Sequence, residues 1–342
     1  MKKLSVAIIG AGQIAGGYDQ QKINGDQGIY THAGAYMAHG GYELTSICDV
    51  NQDQAAQFQK YWKVEHKVTD IDKLLESYHD VVSVCTPDAT HYELVKRLLL
   101  SHCCKTVFVE KPLALNLQEI AELLELANAN QCHIVVDFQR QYEIYHKQIR
   151  SQLAQAMESV LTVNAYYIKG LEHIGVTMID TLVFLFGLPE AVLTYNRVYN
   201  QEIRDYTYEF IFYYSQFNVT VKTVDSEAYH YNYHIFEIDM LLTDQRIVIN
   251  DNSRQILVRT VTDYAYSGVK VLNDREPLVN DTKYQYSLID AVDYISQITN
   301  SQRNHDVSTP VQSFNTKLLI DAIVKSYINH QKVCLEEKKW KR

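Results

Sequence analysis

A short apolar run, Leu4–Ile9, leads directly into Gly10-Ala11-Gly12-Gln13-Ile14-Ala15. A chain that turns this tightly after a buried strand has few folds open to it. The pattern is G-x-G-x-x-A, an allowed form of the dinucleotide-binding fingerprint. Gly10 permits the tight turn and Gly12 lets the backbone approach a pyrophosphate. Ala15 keeps the following helix close to the strand, and the N–H groups that open that helix, at Gln13 and Ile14, favour phosphate. A Gly-rich turn also arises without any ligand, so the surrounding pattern has to decide. Runs at 42–48, 81–85, 106–109 and 133–136 are short and apolar and read as buried strands. Helical patterns separate them, at 52–61, at 71–77 with Thr69 as N-cap, at 90–100 with Leu94 and Leu98, and at 117–130, where Asn116 and Glu119 form a capping box. This alternation predicts a parallel sheet with helices on both faces, an α/β Rossmann domain over 1–137.

Beyond residue 140 the pattern changes. Strand-like segments at 159–169, 191–199, 206–214, 218–224, 230–242, 246–250 and 255–261 follow one another with turn residues between them. Helical stretches fall at about 173–186, 284–299 and 312–330. The chain carries 26 Tyr, most of them after residue 160, and Tyr favours strands. These features predict an α+β domain over 138–342 with a large, mostly antiparallel open sheet.

Charge and composition remove other classes. Lys+Arg is 32 against Asp+Glu 41, a net charge of −9. The basic cluster Lys338, Lys339, Lys341 and Arg342 reads as a solvated tail, so no nucleic-acid partner is expected. The longest apolar stretch, 176–188, contains Asp180 and is too short for a bilayer. Met1-Lys2-Lys3 and the run after it mimic a signal peptide but lead into Gly10 without a cleavage site. The 6 Cys form no CxxC pair and read as reduced thiols. A cytoplasmic protein with no membrane partner is expected. His230 and His234 share a strand face beside Tyr229, Tyr231 and Tyr233, but no Cys, Asp or Glu stands at ligand spacing. No metal centre is expected.

The chemistry gathers where predicted strands end. Asp49 closes the second strand, displaced along the chain by an insert at 16–30. A carboxylate there accepts hydrogen bonds from both ribose hydroxyls and repels a 2′-phosphate, and Val50 and Asn51 supply no Arg to reverse this. NAD is therefore expected, with NADP the less favoured cofactor. The competing reading is that Asp49 caps the next helix. Cys85-Thr86-Pro87-Asp88-Ala89-Thr90-His91 follows one strand and Glu110-Lys111-Pro112 another. Ligands of open α/β sheets bind outside such strand ends. Lys111 in that crevice can polarise a substrate oxygen; elsewhere it would be an ordinary surface Lys before a turn Pro.

Gly10 to Ala15, Thr86-Pro87 with His91, Glu110-Lys111-Pro112, the 170–187 segment and the closing Thr309-Pro310-Val311 together resemble the glucose–fructose oxidoreductase / inositol dehydrogenase (Gfo/Idh/MocA) family. The resemblance covers nearly the whole chain. It implies a Rossmann domain followed by an open antiparallel sheet that often forms the oligomer interface, here a homodimer or homotetramer. It further implies NAD(P)-dependent hydride transfer on sugars, nucleotide sugars or cyclitols, with Thr86, Pro87, His91, Glu110 and Lys111 at the cofactor. It implies that Lys111 touches substrate and nicotinamide ribose, with a cis Lys–Pro bond, and it places Arg140 and Asp180 near substrate. A salt-bridging Arg140 is the competing reading. His32 falls where the family often carries a His, and is read as structural.

One departure stands out. The family pattern of Asp and, four residues later, His is replaced by His173 and Thr177, while Asp180 is kept. Spacing of i, i+4 and i+7 would put the three on one helix face. Thr177 can relay a proton but cannot act as a base near neutral pH. Three readings stay open. His173 takes over proton transfer, or Lys111, Tyr166 or Tyr167 does, or the protein is a regulator that binds NAD or sugar without turnover. A helix-start His that caps or packs is the bland reading of His173.

Overall fold

A computed structural model describes residues 2–22, 26–223, 235–264, 268–273, 278–301 and 308–335. His230, His234 and their neighbouring tyrosines lie outside the described residues, as does the basic C-terminal cluster. The chain divides into two compact units, Met1–Glu143 with Gln285–Phe314, and Ile144–Tyr284 with Asn315–Arg342.

The first unit is built on six strands: β1 (Leu4–Ile9), β2 (Tyr42–Cys48), β3 (His66–Val68), β4 (His79–Val84), β5 (Cys104–Val109) and β6 (His133–Val136). All pair in parallel, in the order β3-β2-β1-β4-β5-β6. Chain order reverses between β1 and β4, which opens the crevice where such sheets bind ligands. The central strands are buried on both faces, so they read as unbroken apolar runs. The strand β3 escaped the sequence reading because three residues give no periodicity.

Helix starts follow side-chain capping. Asn51 Oδ1 accepts from Asp53 N and Gln54 N to open Gln52–Trp62, and Asn116 Oδ1 accepts from Glu119 N to open Leu117–Ala129. Glu119 reaches back to Leu115 N, one residue further than a capping box requires. Asp70, and not Thr69, caps Ile71–Leu75.

The expected boundary at residue 137 differs from the observed units. Residues up to 143 stay with the first, and the helix Ser287–Asn300 returns to it. Leu288, Ala291, Val292 and Ile295 on that helix pack into one core with Val6, Ile8, Tyr36 and Phe108. An amphipathic helix joins the core that covers its apolar stripe, whatever its place in sequence.

The second unit holds β7 (Val160–Tyr167), β8 (Ala191–Asn200), β9 (Asp205–Tyr213), β10 (Asn218–Thr223), β11 (Phe236–Leu242), β12 (Gln245–Asn250), β13 (Gln255–Asp263), β14 (Lys270–Leu272), β15 (Leu278–Asp281) and β16 (Val333–Cys334). The order is β14-β13-β12-β11-β7-β10-β9-β8-β16, with β15 also on β13. Every pairing is antiparallel except β10 with β7. Burial alternates along the strands. Phe210, Phe212, Val219, Val221, Ile238, Met240, Ile247 and Ile249 point into the core, while Tyr166, Tyr195 and Leu241 on intervening positions stay exposed. The helix Val176–Phe186 is buried at every residue but Thr177. It packs against a helix absent from the sequence reading, Ile144–Gln155, and Arg150 lies 4.6 Å over the Phe184 ring. That helix buries His146, Ile149 and Leu153 alone, a stripe too thin to stand out in Ile-Tyr-His-Lys-Gln-Ile-Arg-Ser-Gln-Leu-Ala-Gln. Among the described residues no helix is long and apolar enough to cross a membrane.

Candidate active site

The residue after each strand of the first sheet but β3 is fixed by a backbone hydrogen bond to a neighbour. Gly10 N donates to Cys48 O, Asp49 N to Val68 O, Cys85 N to Ile9 O, Glu110 N to Val84 O and Asp137 N to Val109 O, all at 2.8–3.2 Å. Sheet order therefore sets Asp49, Gly10, Cys85, Glu110 and Asp137 in a row along one edge.

Gly10 has φ +93°, and a Cβ there would lie 2.7 Å from Cys85 O, so the turn accepts only glycine without strain. A Cβ on Gly12 would meet no protein atom within 4 Å. Gly12 instead lines a cavity of about 880 Å³ together with Gly10, Asp49, Thr86, Pro87 and Arg97. Asp49 Oδ2 accepts from Ala11 N at 2.7 Å and Oδ1 from Asn51 N at 2.7 Å. The carboxylate is thereby held against the Gly-rich turn. Asn51, not Asp49, supplies the cap of the next helix, which removes the competing reading of Asp49.

Past Gly12 the chain does not enter a full helix. Gly17 N donates to Gly12 O at 3.2 Å in a wide turn over Gln13–Gly17, and one helical turn, Tyr18–Gln20, follows. The helix expected to open at Gln13 and Ile14 is reduced to a wide turn, so only local N–H groups face a phosphate there. Gln13 is exposed and Ile14 half-buried against the core. Ala15 is fully buried as expected, but Gly16 is the tighter fit, since a Cβ there would strike Trp62 and Phe58. Arg97 was missed in the sequence. It shares a helix face with Glu93 and Leu94, which also line the cavity, and its guanidinium is paired with Asp72.

His91 does not face the cavity as a cofactor ligand would. Its ring is fully buried, with Nδ1 2.7 Å from Pro112 O and Nε2 2.8 Å from Thr86 O. It ties the Thr86 loop to the Lys111 loop. The Lys111–Pro112 bond is cis and Lys111 is half-buried. Glu110 turns inward to His32, Nε2 to Oε1 3.1 Å. Burial works against the Glu110 charge, but the hydrogen bond from His32 and the positive charges nearby hold its carboxyl below the usual range. Beside it, burial and the Glu110 charge push Asp137 up to about 8. The donor atoms of His32, Glu110 and Asp137 lie within 4.8 Å of one another.

Arg140 sits in the short turn Gln139–Gln141 and is 3% exposed, a buried group rather than an open substrate contact. In the second unit, His173 belongs to a wide turn, Gly170–Gly175, and the α-helix begins only at Val176. The turn is set by left-handed backbone at Lys169 and Gly170 and by Glu172 N donating to Asp205 Oδ2 at 2.9 Å. The expected i, i+4, i+7 face is not formed. His173 is exposed, Thr177 half-buried and Asp180 buried, because a wide turn holds more residues than an α turn. Tyr167 is removed as a proton acceptor. It is fully buried, its hydroxyl donates to Tyr208 O at 2.9 Å, and burial pushes its phenol up. Tyr166 is partly exposed.

The crevice, the glycine turn and the clipped carboxylate define a dinucleotide-binding α/β protein. Residues 4–138 match the model of the Gfo/Idh/MocA oxidoreductase family, described by its NAD-binding Rossmann fold. NAD, expected from the sequence, is the cofactor which that fold describes. The chain is similar to D-glucoside 3-dehydrogenase of Escherichia coli, 29% identical over 54% of this chain and 55% of that protein. It is also similar to myo-inositol 2-dehydrogenase of Thermotoga maritima, 31% identical over 31% of this chain and 32% of that protein. These matches span about half or less of the relatives' length. The fold as a whole is that of levoglucosan dehydrogenase solved with NADH and L-sorbose, TM-score 0.75 at 15% identity over 98% of this chain and 99% of that one.

Proposed function

We propose that this protein is an NAD-dependent oxidoreductase that moves hydride between nicotinamide and a hydroxyl-bearing carbon of a sugar, nucleotide sugar or cyclitol. The observation that carries the reading is Asp49, clipped to Ala11 N and lining one cavity with Gly10 and Gly12. Its free lone pairs suit two ribose hydroxyls and its charge opposes a 2′-phosphate. Arg97, the cation on the same wall, is neutralised by Asp72. When bound, NAD supplies the carbon that accepts hydride.

The chain's own part is binding, orientation and proton handling. Lys111 stabilises the alkoxide that forms as the hydroxyl proton leaves and that becomes a carbonyl as hydride departs. The hydroxyl proton goes to His173, the exposed imidazole of the segment, with Lys111 or Tyr166 as the alternative. Thr177 serves at most as a relay. Asp180, buried with Thr316 Oγ1 at 3.5 Å, shapes the helix rather than touching substrate. The regulator reading gains no support, since the relatives with assigned activities are dehydrogenases.

The half-exposed face of the second sheet supports a homodimer or homotetramer. Six free thiols support a cytoplasmic setting. Light scattering at micromolar concentration tests the first, and a strictly monomeric species overturns it. The central test is titration with NAD and NADP, followed by turnover on methyl glucosides and myo-inositol. Tighter binding of NAD by about tenfold or more is expected. Preference for NADP by the same factor sinks the assignment, and binding without turnover across the panel returns the regulator reading.

A further inference from the structure

The proposed mechanism uses Lys111 but leaves unused the buried groups behind it. His32 is fully buried, and the side chains of Asp137 and Glu110 are 1% and 13% exposed. Two carboxyl groups this close and this buried cannot both be ionised without large cost. With His32 neutral and protonated on Nε2, the hydrogen bonds around them run one way. Tyr36 O–H donates to Ser83 Oγ at 2.8 Å, Ser83 donates to His32 Nδ1 at 3.2 Å, and His32 Nε2–H donates to Glu110 Oε1 at 3.1 Å. That chain ends on an ionised Glu110, which accepts only. Asp137 receives little: Gln139 Nε2 stands 3.5 Å from Oδ2, His32 Nε2 is 3.9 Å away, and Oδ1 is buried with no hydrogen-bond partner. An ionised Asp137 would leave that oxygen charged and unpaired. A protonated one can donate to Glu110, which burial and the pair's mutual repulsion both favour.

We propose that His32 and Asp137 are positioning residues for Lys111: with Glu110 they form a buried cluster that retains one proton between its two carboxyl groups at neutral pH, and release of that proton adds a second negative charge at the base of the Lys111 loop. The functional weight of this rests on the role proposed for Lys111, but the proton itself does not. Lys111 is covalently next to Glu110, and the loop beyond it is pinned by His91 on Pro112 O. The Lys111 ammonium, which already attracts Glu110, is a cation that such a charge would pull. Cys85 and Tyr36 also feel the Asp137 charge, and both are buried and held protonated by burial. Neither can supply the compensating charge.

The sign of the pH effect follows from Asp137, whose carboxyl is raised from an ordinary 3.8 to about 8. The folded chain keeps a proton that the unfolded chain has lost between those values. Stability therefore falls as pH rises across that window and levels off above it.

The test compares wild type with Asp137→Asn and His32→Gln, both of which keep a donor for Glu110. Two readouts are followed from about pH 5 to pH 9.5: the melting temperature, and the acylation rate of Lys111 relative to Lys2, scored by peptide mass spectrometry. In wild type the melting temperature should fall by several degrees up to about pH 8. The Lys111-to-Lys2 ratio should change about threefold or more across pH 8. Asp137→Asn should flatten both profiles, and His32→Gln should shift them to another pH. A flat Lys111 ratio in wild type overturns the proposal without any variant having to fold. So do identical profiles in wild type and Asp137→Asn, or a stoichiometric divalent cation that co-purifies with wild type and is lost in Asp137→Asn. Because neither readout needs turnover, an inactive enzyme with the expected profiles would sink the proposed function and leave the cluster standing.

Discussion

The two sheets hold their chemistry in opposite ways. In the parallel sheet of the first unit the strands are short and buried on both faces, and the candidates Gly10, Asp49 and Glu110 each stand one position past a strand end. Its place is inherited from the core through a backbone hydrogen bond, as with Gly10 on Cys48 O and Glu110 on Val84 O. In the second unit the strands bury one face only, and its candidates depend on a turn. Gly170 at φ +79° and the Asp205 carboxylate fix the wide turn that carries His173. Position set by a core is stiff and insensitive to single side chains. Position set by a turn rests on one or two contacts and can drift, which fits a segment where a His and a Thr stand in shifted roles.

That contrast can be broken by substitution. The largest effect is expected at the reacting groups. His173→Ala should lower kcat by ~10²–10⁴-fold with NAD affinity nearly unchanged. Full turnover in that variant, with loss in Lys111→Ala, would move the proton to Lys111 or Tyr166. Next come the two left-handed glycines. Gly10→Ala places a methyl against the rigid Cys85 carbonyl and should cost about 3 kcal/mol or more of stability. Gly170→Ala meets the Asp205 and Ile203 side chains and no backbone among its nearest atoms; it displaces the Asp205 anchor of the turn and should cost about 1–2 kcal/mol. Equal losses in denaturant melts would erase the distinction between the sheets. A change of the same size is expected for Asp49→Ala, about 1–2 kcal/mol of NAD binding by calorimetry. The smallest is Asn116→Ala, about 1 kcal/mol of stability through the lost cap, with no change in NAD affinity.

The same contrast explains what could be read from sequence. Strand ends announce themselves, because an apolar run stops and a Gly, Asp or Glu-Lys-Pro begins. Gly10, Asp49 and Glu110 are therefore legible from sequence. What the sequence hides is geometry set by partners far along the chain. Helix Ser287–Asn300 belongs to the first core because Val292 and Ile295 fit it, and nothing local to residue 290 says so. The wide turn at Gly170–Gly175 carries an α-like pattern, so His173 and Thr177 looked like neighbours on one face. Arg97 reads as an ordinary exposed helix charge until the fold brings Asp72 beside it. His91 looked like a ligand and is a buried tie between two loops.

Asp49 couples two properties that protein engineers treat as separate. One of its oxygens fastens the backbone at Ala11 and the other the backbone at Asn51, so the side chain proposed to read the ribose also shapes the loop proposed to cradle the phosphates. Retargeting the protein to a phosphorylated ribose by removing that carboxylate would also release Ala11 N from its anchor. Selection for a changed nucleotide preference would then have to restore the loop by a second substitution, and the path between the two cofactors runs through a variant that holds either one poorly.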